Sequence, residues 1–459
     1  MPFQSFADLG VPSALVSHLR DQGITHPTPI QAVTLPDSLA GRDVLGRGRT
    51  GSGKTYAFAL PVVARLQMSP AARRPRRPRA LILAPTRELA SQIAAVIEPL
   101  ARTASLRVLT VFGGVGKQPQ IRGLNAGVDV LIACPGRLED LLQSGQVILD
   151  GIEITVLDEA DHMADLGFLP SVKRLMDRTP KGGQRMLFSA TLDGGIDVLV
   201  KRYLSNPVRH SADSLQSPVS TMEHHVLHIS RGDRLDILAD LTFGPGRSLV
   251  FSRTKHAAKK MAKQLNERGV PSVELHGNLA QNARTRNLKA FHSGEAPTLV
   301  ATDIAARGIH VDDVALVIHA DPPAEHKAYL HRSGRTARAG ASGRVVTLMT
   351  DEQVRDVQAL TKAAGVKATT TRVRMGDPML RELAPRPEGS PARVPVGVPI
   401  SDGASAKPRS ASPTQHSPGR RSGGQRSGGQ RSGGQRSGGH NQGRRRPSGS
   451  AGGRGRSSR

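Results

Sequence analysis

Between about residues 20 and 210, short apolar, β-branched runs alternate with longer stretches whose apolar positions recur at helical spacing. In RALILAPTRELASQIAAVIEPL a predicted strand ends at Pro85 and a helix begins near Glu88. VDVLIAC, IEITVLD and QRMLFSA read as further strands, each followed by polar or Gly-rich residues where a parallel strand reaches its C-terminal end. That rhythm is of βαβ units, and open α/β sheets bind ligands at such ends. A second series spans about 223 to 372, with strands expected at HHVLHI, SLVFS, PSVELHG, PTLVATD and VALVIHAD. The polar stretch HSADSLQSPVST carries the expected linker, set at 213–222. The pattern predicts an α/β chain with a domain at 1–212 and another at 223–372.

From residue 373 to 459 the apolar periodicity fades into Pro, Gly, Ser and Arg, and no acidic residue occurs from Gly403 to Arg459. Such a segment cannot bury a core and is read as a disordered basic tail. It holds the tandem repeat RSGGQRSGGQRSGGQRSGGH, whose period is too short for a solenoid. Over the whole 459 residues the formal net charge is +26, which favours a polyanionic partner through counterion release. No run approaches the roughly 18 consecutive apolar residues of a membrane span. The N-terminal residues lack a signal-peptide pattern, and the single cysteine, Cys134, excludes an intrachain disulfide. The reading is a soluble, cytoplasmic, nucleic-acid-binding protein with no membrane partner. The basic stretch ARRPRRPR, 72–79, is expected in a surface loop, where solvation and RNA contact are both open.

The segment GRGRTGSGKT matches the pattern G-x-x-x-x-G-K-[ST]. Its residues Gly48, Arg49, Thr50, Gly51, Ser52, Gly53, Lys54 and Thr55 are candidate nucleotide contacts. Glycines let backbone N–H groups close on phosphate oxygens; Lys54 reaches the outer phosphates and Thr55 offers a hydroxyl to Mg²⁺. Such a loop needs a carboxylate at the end of a nearby apolar strand to hold the metal, and Asp158 in ITVLDE has that place. Glu159 beside it is the candidate for orienting the attacking water, although two acids also suit a solvated helix start.

These residues resemble the DEAD-box ATP-dependent RNA helicases of superfamily 2, over about residues 3 to 372. GITHPTPIQ is similar to the Q motif, with Gln31 on the adenine edge and Phe6 as its upstream aromatic; TGSGKT, PTRELA, GG, PGR, DEAD and SAT follow in family order. VFSRT, QNAR, ATDIAARG and HRSGRTAR complete the second domain. The resemblance implies two tandem RecA-like domains closing on ATP, Mg²⁺ and RNA. It implies arginine fingers at Arg335 and Arg338, with His331 in the same catalytic motif, and coupling through Asp161, Ser189 and Thr191. RNA contacts are implied at Thr86, Arg87, Gly114, Arg137, Arg253, Gly277, Thr302 and Asp303, with little sequence specificity and local, non-processive unwinding or ribonucleoprotein remodelling. The tail resembles the basic Arg/Gly-rich extensions of bacterial members, implying RNA, ribonucleoprotein or degradation-complex partners.

The chain departs from the family pattern at His310, where Asp is usual, at Ile24, where an aromatic is frequent, and at Cys134, Gly48 and Ala337. Asp312 or Asp313 stands near enough in sequence to substitute for the missing Asp. His310 and the tail also leave a reading from another class: a passive RNA-binding or annealing protein with an impaired ATP cycle.

Overall fold

A computed structural model describes residues 5–48, 51–191, 194–211, 222–244, 246–306, 314–337 and 343–385. Within them the chain forms two lobes, each built on a parallel sheet. The first sheet comprises β1 (Val44–Arg47), β2 (Ala80–Leu83), β3 (Val108–Val111), β4 (Val130–Ala133), β5 (Ile154–Asp158), β6 (Gln184–Ser189) and β7 (Val208–Ser211). The second comprises β8 (Met222–His228), β9 (Arg247–Phe251), β10 (Ser272–Leu275), β11 (Thr298–Ala301), β12 (Val314–His319), β13 (Gly343–Met349) and β14 (Ala368–Arg372). Their orders are β3-β4-β2-β5-β6-β1-β7 and β10-β11-β9-β12-β13-β8-β14. Adding seven to each number of the first gives the second, so the lobes share one topology.

The central strands are buried along nearly their whole length because each face of a sheet is covered by helices, and β2 and β4 are apolar throughout. Along β2, Ala80 and Ile82 enter one core while Leu81 and Leu83 enter the other; β4 divides the same way, with Val130 and Ile132 against Leu131 and Ala133. In the second lobe Val300 and Val250 face one core, and Leu299, Ala301, Leu249 and Phe251 the opposite one. The helices fit by periodicity. Arg87–Thr103 buries Leu89, Ala90, Ile93, Ala94, Ile97, Leu100 and Ala101, one stripe of the helix, and Thr86 caps it by accepting the Leu89 N–H at 3.2 Å.

The second lobe continues past its expected end at residue 372. A helix at Pro378–Leu383, capped by Asp377, buries Leu380 and Leu383 in the same core as Leu238 and Leu265. Two leucines three apart between prolines and charges gave the sequence too weak a period to mark it. The linker 213–222 lies almost entirely outside the described residues, as do the RSGGQ repeats and the rest of the chain after Pro385. No described helix is long and apolar enough to cross a membrane.

Candidate nucleotide and RNA site

The loop after β1 turns into the helix Lys54–Met68 through Gly53, at φ 94°. A Cβ there would stand 2.5 Å from Thr28 Oγ1 and 2.6 Å from Gln31 Nε2, so only glycine fits. Lys54 is buried (6% exposed), and its Nζ has no hydrogen-bond partner among the described residues. A buried ammonium without a partner is costly, and an anion in the loop removes that cost. Ser52 Oγ is likewise buried and unpartnered. Gly48 donates its N–H to the Ser189 carbonyl at 3.1 Å, tying the loop to the end of β6. Thr55 follows Lys54 on the helix, half-buried, and Gly51 is exposed. Arg49 and Thr50 lie outside the described residues.

Two residues expected on the adenine are engaged elsewhere. Gln31 accepts from the Thr28 N–H at 2.9 Å and donates to the Gly53 carbonyl at 2.9 Å. It caps its own helix and braces the phosphate loop. Phe6 is 2% exposed within the first lobe's core and supports the site from behind, offering no ring face to a ligand.

Asp158 ends β5, buried beneath the loop. Burial pushes its carboxyl up to about 7, against the pull of the neighbouring Lys54. A buried acid close to neutrality beside a cation is a fitting holder for a divalent metal through its water shell. Glu159 follows in the left-handed region, φ 52° and ψ 52°, a conformation that costs a non-glycine residue about 1–2 kcal/mol. Burial raises its carboxyl, but the charges of His162, Lys54 and Arg335 outweigh that and hold it well below the usual carboxylate range. Arg335 belongs to the second lobe and is 3% exposed. Thus an arginine of one lobe bears on an acid of the other.

Asp161 accepts from the Thr191 N–H at 3.0 Å and from its hydroxyl at 3.1 Å. Ser189 is joined differently from expectation: its Oγ accepts the Asp161 backbone N–H at 3.3 Å and leaves the carboxylate to Thr191. His331 is half-buried, its ring 5.4 Å from that of His162. Arg338, His310, Asp312 and Asp313 lie outside the described residues. Ala337, in place of glycine, adopts φ 54°.

The residues expected on RNA follow equivalent strands in the two lobes. Thr86 and Arg87 follow β2, as Arg253 and Thr254 follow β9; Gly114 follows β3, as Gly277 follows β10; Arg137 follows β4, as Thr302 and Asp303 follow β11. The correspondence extends to capping, because Thr254 accepts from the Ala257 N–H at 3.1 Å just as Thr86 does from Leu89. A cleft of about 510 Å³ runs between these loops, lined by Thr86, Arg87, Arg137, Gly277 and Ile304 among others. Arg253 and Gly277 are exposed, and Arg137 donates to the Val115 carbonyl at 3.1 Å.

Two pairs join the lobes beside this cleft. Arg284 Nε bonds Glu88 at 2.7 Å with both side chains buried, and Arg87 donates to Gln281 Oε1 at 2.9 Å. A Cβ on Gly114 would reach within 1.9 Å of the Arg87 guanidinium. The Asp303 carboxylate is committed to Arg332, in a two-pronged pair at 2.5 and 2.7 Å, which leaves only its backbone open to a ligand. Sequence could not show that pairing, nor the Glu88–Arg284 pair, because the partners are 29 and 196 residues apart. His162 was also missed, although a histidine three residues after a helix-starting acid is the spacing at which side chains meet.

The basic stretch 72–79 resolves toward structure. Arg73 pairs with Asp129 at 2.6 Å, Arg79 with Glu153 at 2.7 Å, and Arg77 with Asp150. These arginines staple the loop to the first lobe. Cys134 is buried, and burial pushes its thiol up to about 12, which leaves it inert.

One phosphate loop serving two lobes of the same topology, among the described residues, defines a two-lobed RecA-like nucleoside triphosphatase. Residues 28–198 match the DEAD/DEAH box helicase family and residues 233–340 the helicase conserved C-terminal domain. The ATP-dependent RNA helicase RhlB of Pseudomonas syringae pv. tomato is 37% identical over 369 residues, covering 79% of this chain and 93% of that protein. RhlB of Enterobacter sp. (strain 638) is 38% identical over 388 residues, 83% of this chain and 92% of the relative. The structure of S. cerevisiae Dbp5 bound to RNA and ADP BeF3 is similar with a TM-score of 0.72 and 28% identity, over 83% of this chain and 99% of Dbp5. The chain belongs to the DEAD-box ATP-dependent RNA helicases.

Proposed function

We propose that the chain hydrolyses ATP in an RNA-stimulated cycle and uses it for local, non-processive separation of short RNA duplexes or remodelling of ribonucleoprotein. The observation that carries this reading is the cleft walled by equivalent loops of both lobes, beside a nucleotide site that also draws on both. RNA spanning the cleft and ATP beneath it favour the same apposition of lobes, so each ligand raises the affinity for the other. Loops that repeat on a backbone path give contacts to sugar and phosphate, which position a strand without reading its bases.

In the nucleotide site the phosphate-loop amides and the unpartnered Lys54 Nζ hold the β- and γ-phosphates. Asp158 and Thr55 would hold Mg²⁺, which when bound neutralises charge on the phosphate oxygens. Glu159, kept ionised by its cationic neighbours, accepts a hydrogen bond from the attacking water and aligns it with the γ-phosphorus. Water forms the new P–O bond as the bond to ADP breaks, and Arg335 balances the charge that spreads over the γ-oxygens. Arg338 shares that role. Asp161, through Thr191, transmits the change to the loop after β6. Thr86, Arg87, Gly114, Arg137, Arg253, Gly277, Thr302 and the Asp303 backbone carry the strand. We assign these roles to a first domain ending near residue 212 and a second beginning near 223, with the chain active in the cytoplasm, where ATP and RNA are at hand. The basic tail adds RNA affinity by charge.

Glu159→Gln removes the carboxylate while keeping its shape. ATP hydrolysis at saturating RNA should fall by about 10² or more, with ATP and RNA still bound. Asp161→Ala should instead retain nucleotide binding while lowering RNA stimulation. Steady-state ATPase assays with and without RNA, beside ATP and RNA titrations, check both; absence of RNA stimulation in the wild-type chain contradicts the enzyme reading.

A further inference from the structure

His162 belongs to none of the motifs assigned above, yet it lies against the residue on which hydrolysis depends. It is buried (4% exposed) in the helix Ala160–Asp165, one turn beyond Glu159. Its Nδ1 stands 2.5 Å from Glu159 Oε2, an ion-pair contact that is not aligned as a hydrogen bond in this structure and needs only a turn of the ring or carboxylate to become one. Its ring also meets His331 of the second lobe edge-on, with centroids 5.4 Å apart and planes at 81°. Glu159 needs such a neighbour. A glutamate side chain loses about 1.5–2 kcal/mol of rotamer freedom when fixed, and Glu159 starts from a left-handed backbone with no capping bond from its own side chain. A carboxylate that must align a water cannot rotate freely between orientations.

We propose that His162 is a positioning residue for Glu159: its Nδ1–H donates to Oε2, fixing the carboxylate so that Oε1 is presented to the water. The hydrogen sits on Nδ1, because an ionised carboxylate only accepts. Oε2 is thereby occupied, and the two oxygens acquire different tasks. The edge contact with His331 places the second lobe against the back of this arrangement, so the ring that fixes the base is itself held when the lobes are together. In this arrangement His162 acts through Glu159, as a positioning residue and not a catalytic one. The inference rests on Glu159 being the residue that orients the water.

Two substitutions separate donation from space-filling. His162→Phe keeps a ring of similar size without a donor, whereas His162→Asn places a side-chain N–H near the position of Nδ1 and gives up the ring. For the full chain at saturating RNA, His162→Phe should lower kcat about tenfold or more, with KM for ATP and RNA affinity within about twofold of wild type. His162→Asn should recover kcat to within about threefold of wild type. Wild-type kcat in the Phe variant, an Asn variant no faster than the Phe variant, or a rise in KM matching the fall in kcat would each overturn the proposal. Thermal melts establish that the variants fold, and a Leu variant replaces Phe as the donor-free member if Phe does not. If Glu159→Gln keeps wild-type hydrolysis, the role given to Glu159 fails; if only the His162 variants are silent, that role stands and this proposal falls.

Discussion

His224 and His319 sit in the core of the second lobe at 4% and 0% exposure, joined through Tyr329. His224 Nδ1 is 3.0 Å from the Tyr329 hydroxyl, and the His319 ring packs edge-on against Tyr329 at 4.8 Å. Burial lowers His224 to about 4, with His225 adding to the effect, and burial together with the Arg332 and His224 charges lowers His319 further. Both imidazoles are therefore neutral in the folded lobe and protonate more readily once unfolded. The folded state is favoured fully above about pH 6.5, and stability is lost as pH falls from there toward 4. The denaturant midpoint should drop between pH 7.5 and pH 5, and His224→Gln should show a shallower drop; equal slopes would contradict the assignment. Residue types whose chemistry dictates spacing, such as Gly53, Lys54, Asp158 and Glu159, could be read from the chain. Phe6 and Asp303 could not, since what occupies them is a core and an arginine brought in by folding.

Most strands named from the sequence lie inside the sheets, where helices on both faces favour apolar residues, although β10 is an edge strand and the inner β1 and β13 are not among those named. Those not named include β7, VRHS, and β14, ATTTR, which lie at sheet edges and mix half-buried with exposed positions. Their place depends on neighbours, and only the paired backbone of β1 or β8 makes strands of them. The helix Pro378–Leu383 is a third such case, and it carries a prediction. A chain ending at Arg372 uncovers the pocket filled by Leu380 and Leu383, each worth about 1.5–3 kcal/mol when buried. It should unfold at lower denaturant than a chain ending at Pro385, which should match the full-length protein. Equal midpoints for the two truncations would show that the helix adds nothing to the lobe.

Across the whole molecule, Glu88 and Arg284 form a buried pair that exists only while the lobes are together. Removing one partner strands the other charge, a loss of about 3–5 kcal/mol where the site stays dry. Arg284→Ala should weaken RNA binding in the presence of ATP and reduce RNA-stimulated hydrolysis, leaving ATP affinity without RNA unchanged. The double variant Glu88→Ala/Arg284→Ala should recover part of the loss, and additive losses in that cycle would show that the two residues act independently. The repeated topology explains how such coupling is built: two copies of one sheet order bring the same three loops to a shared cleft, while only the first retains a phosphate loop among the described residues.

Cys134 has a practical counterpart. The chain's sole thiol is buried at the start of the helix Pro135–Gln143, and at a pKa near 12 it stays protonated at neutral pH. Maleimide dyes, which react with the thiolate, should therefore label Cys134 far more slowly than an exposed cysteine. One cysteine introduced on each lobe gives a two-colour distance gauge in an otherwise unaltered protein, with which the opening and closing of the cleft can be timed one turnover at a time.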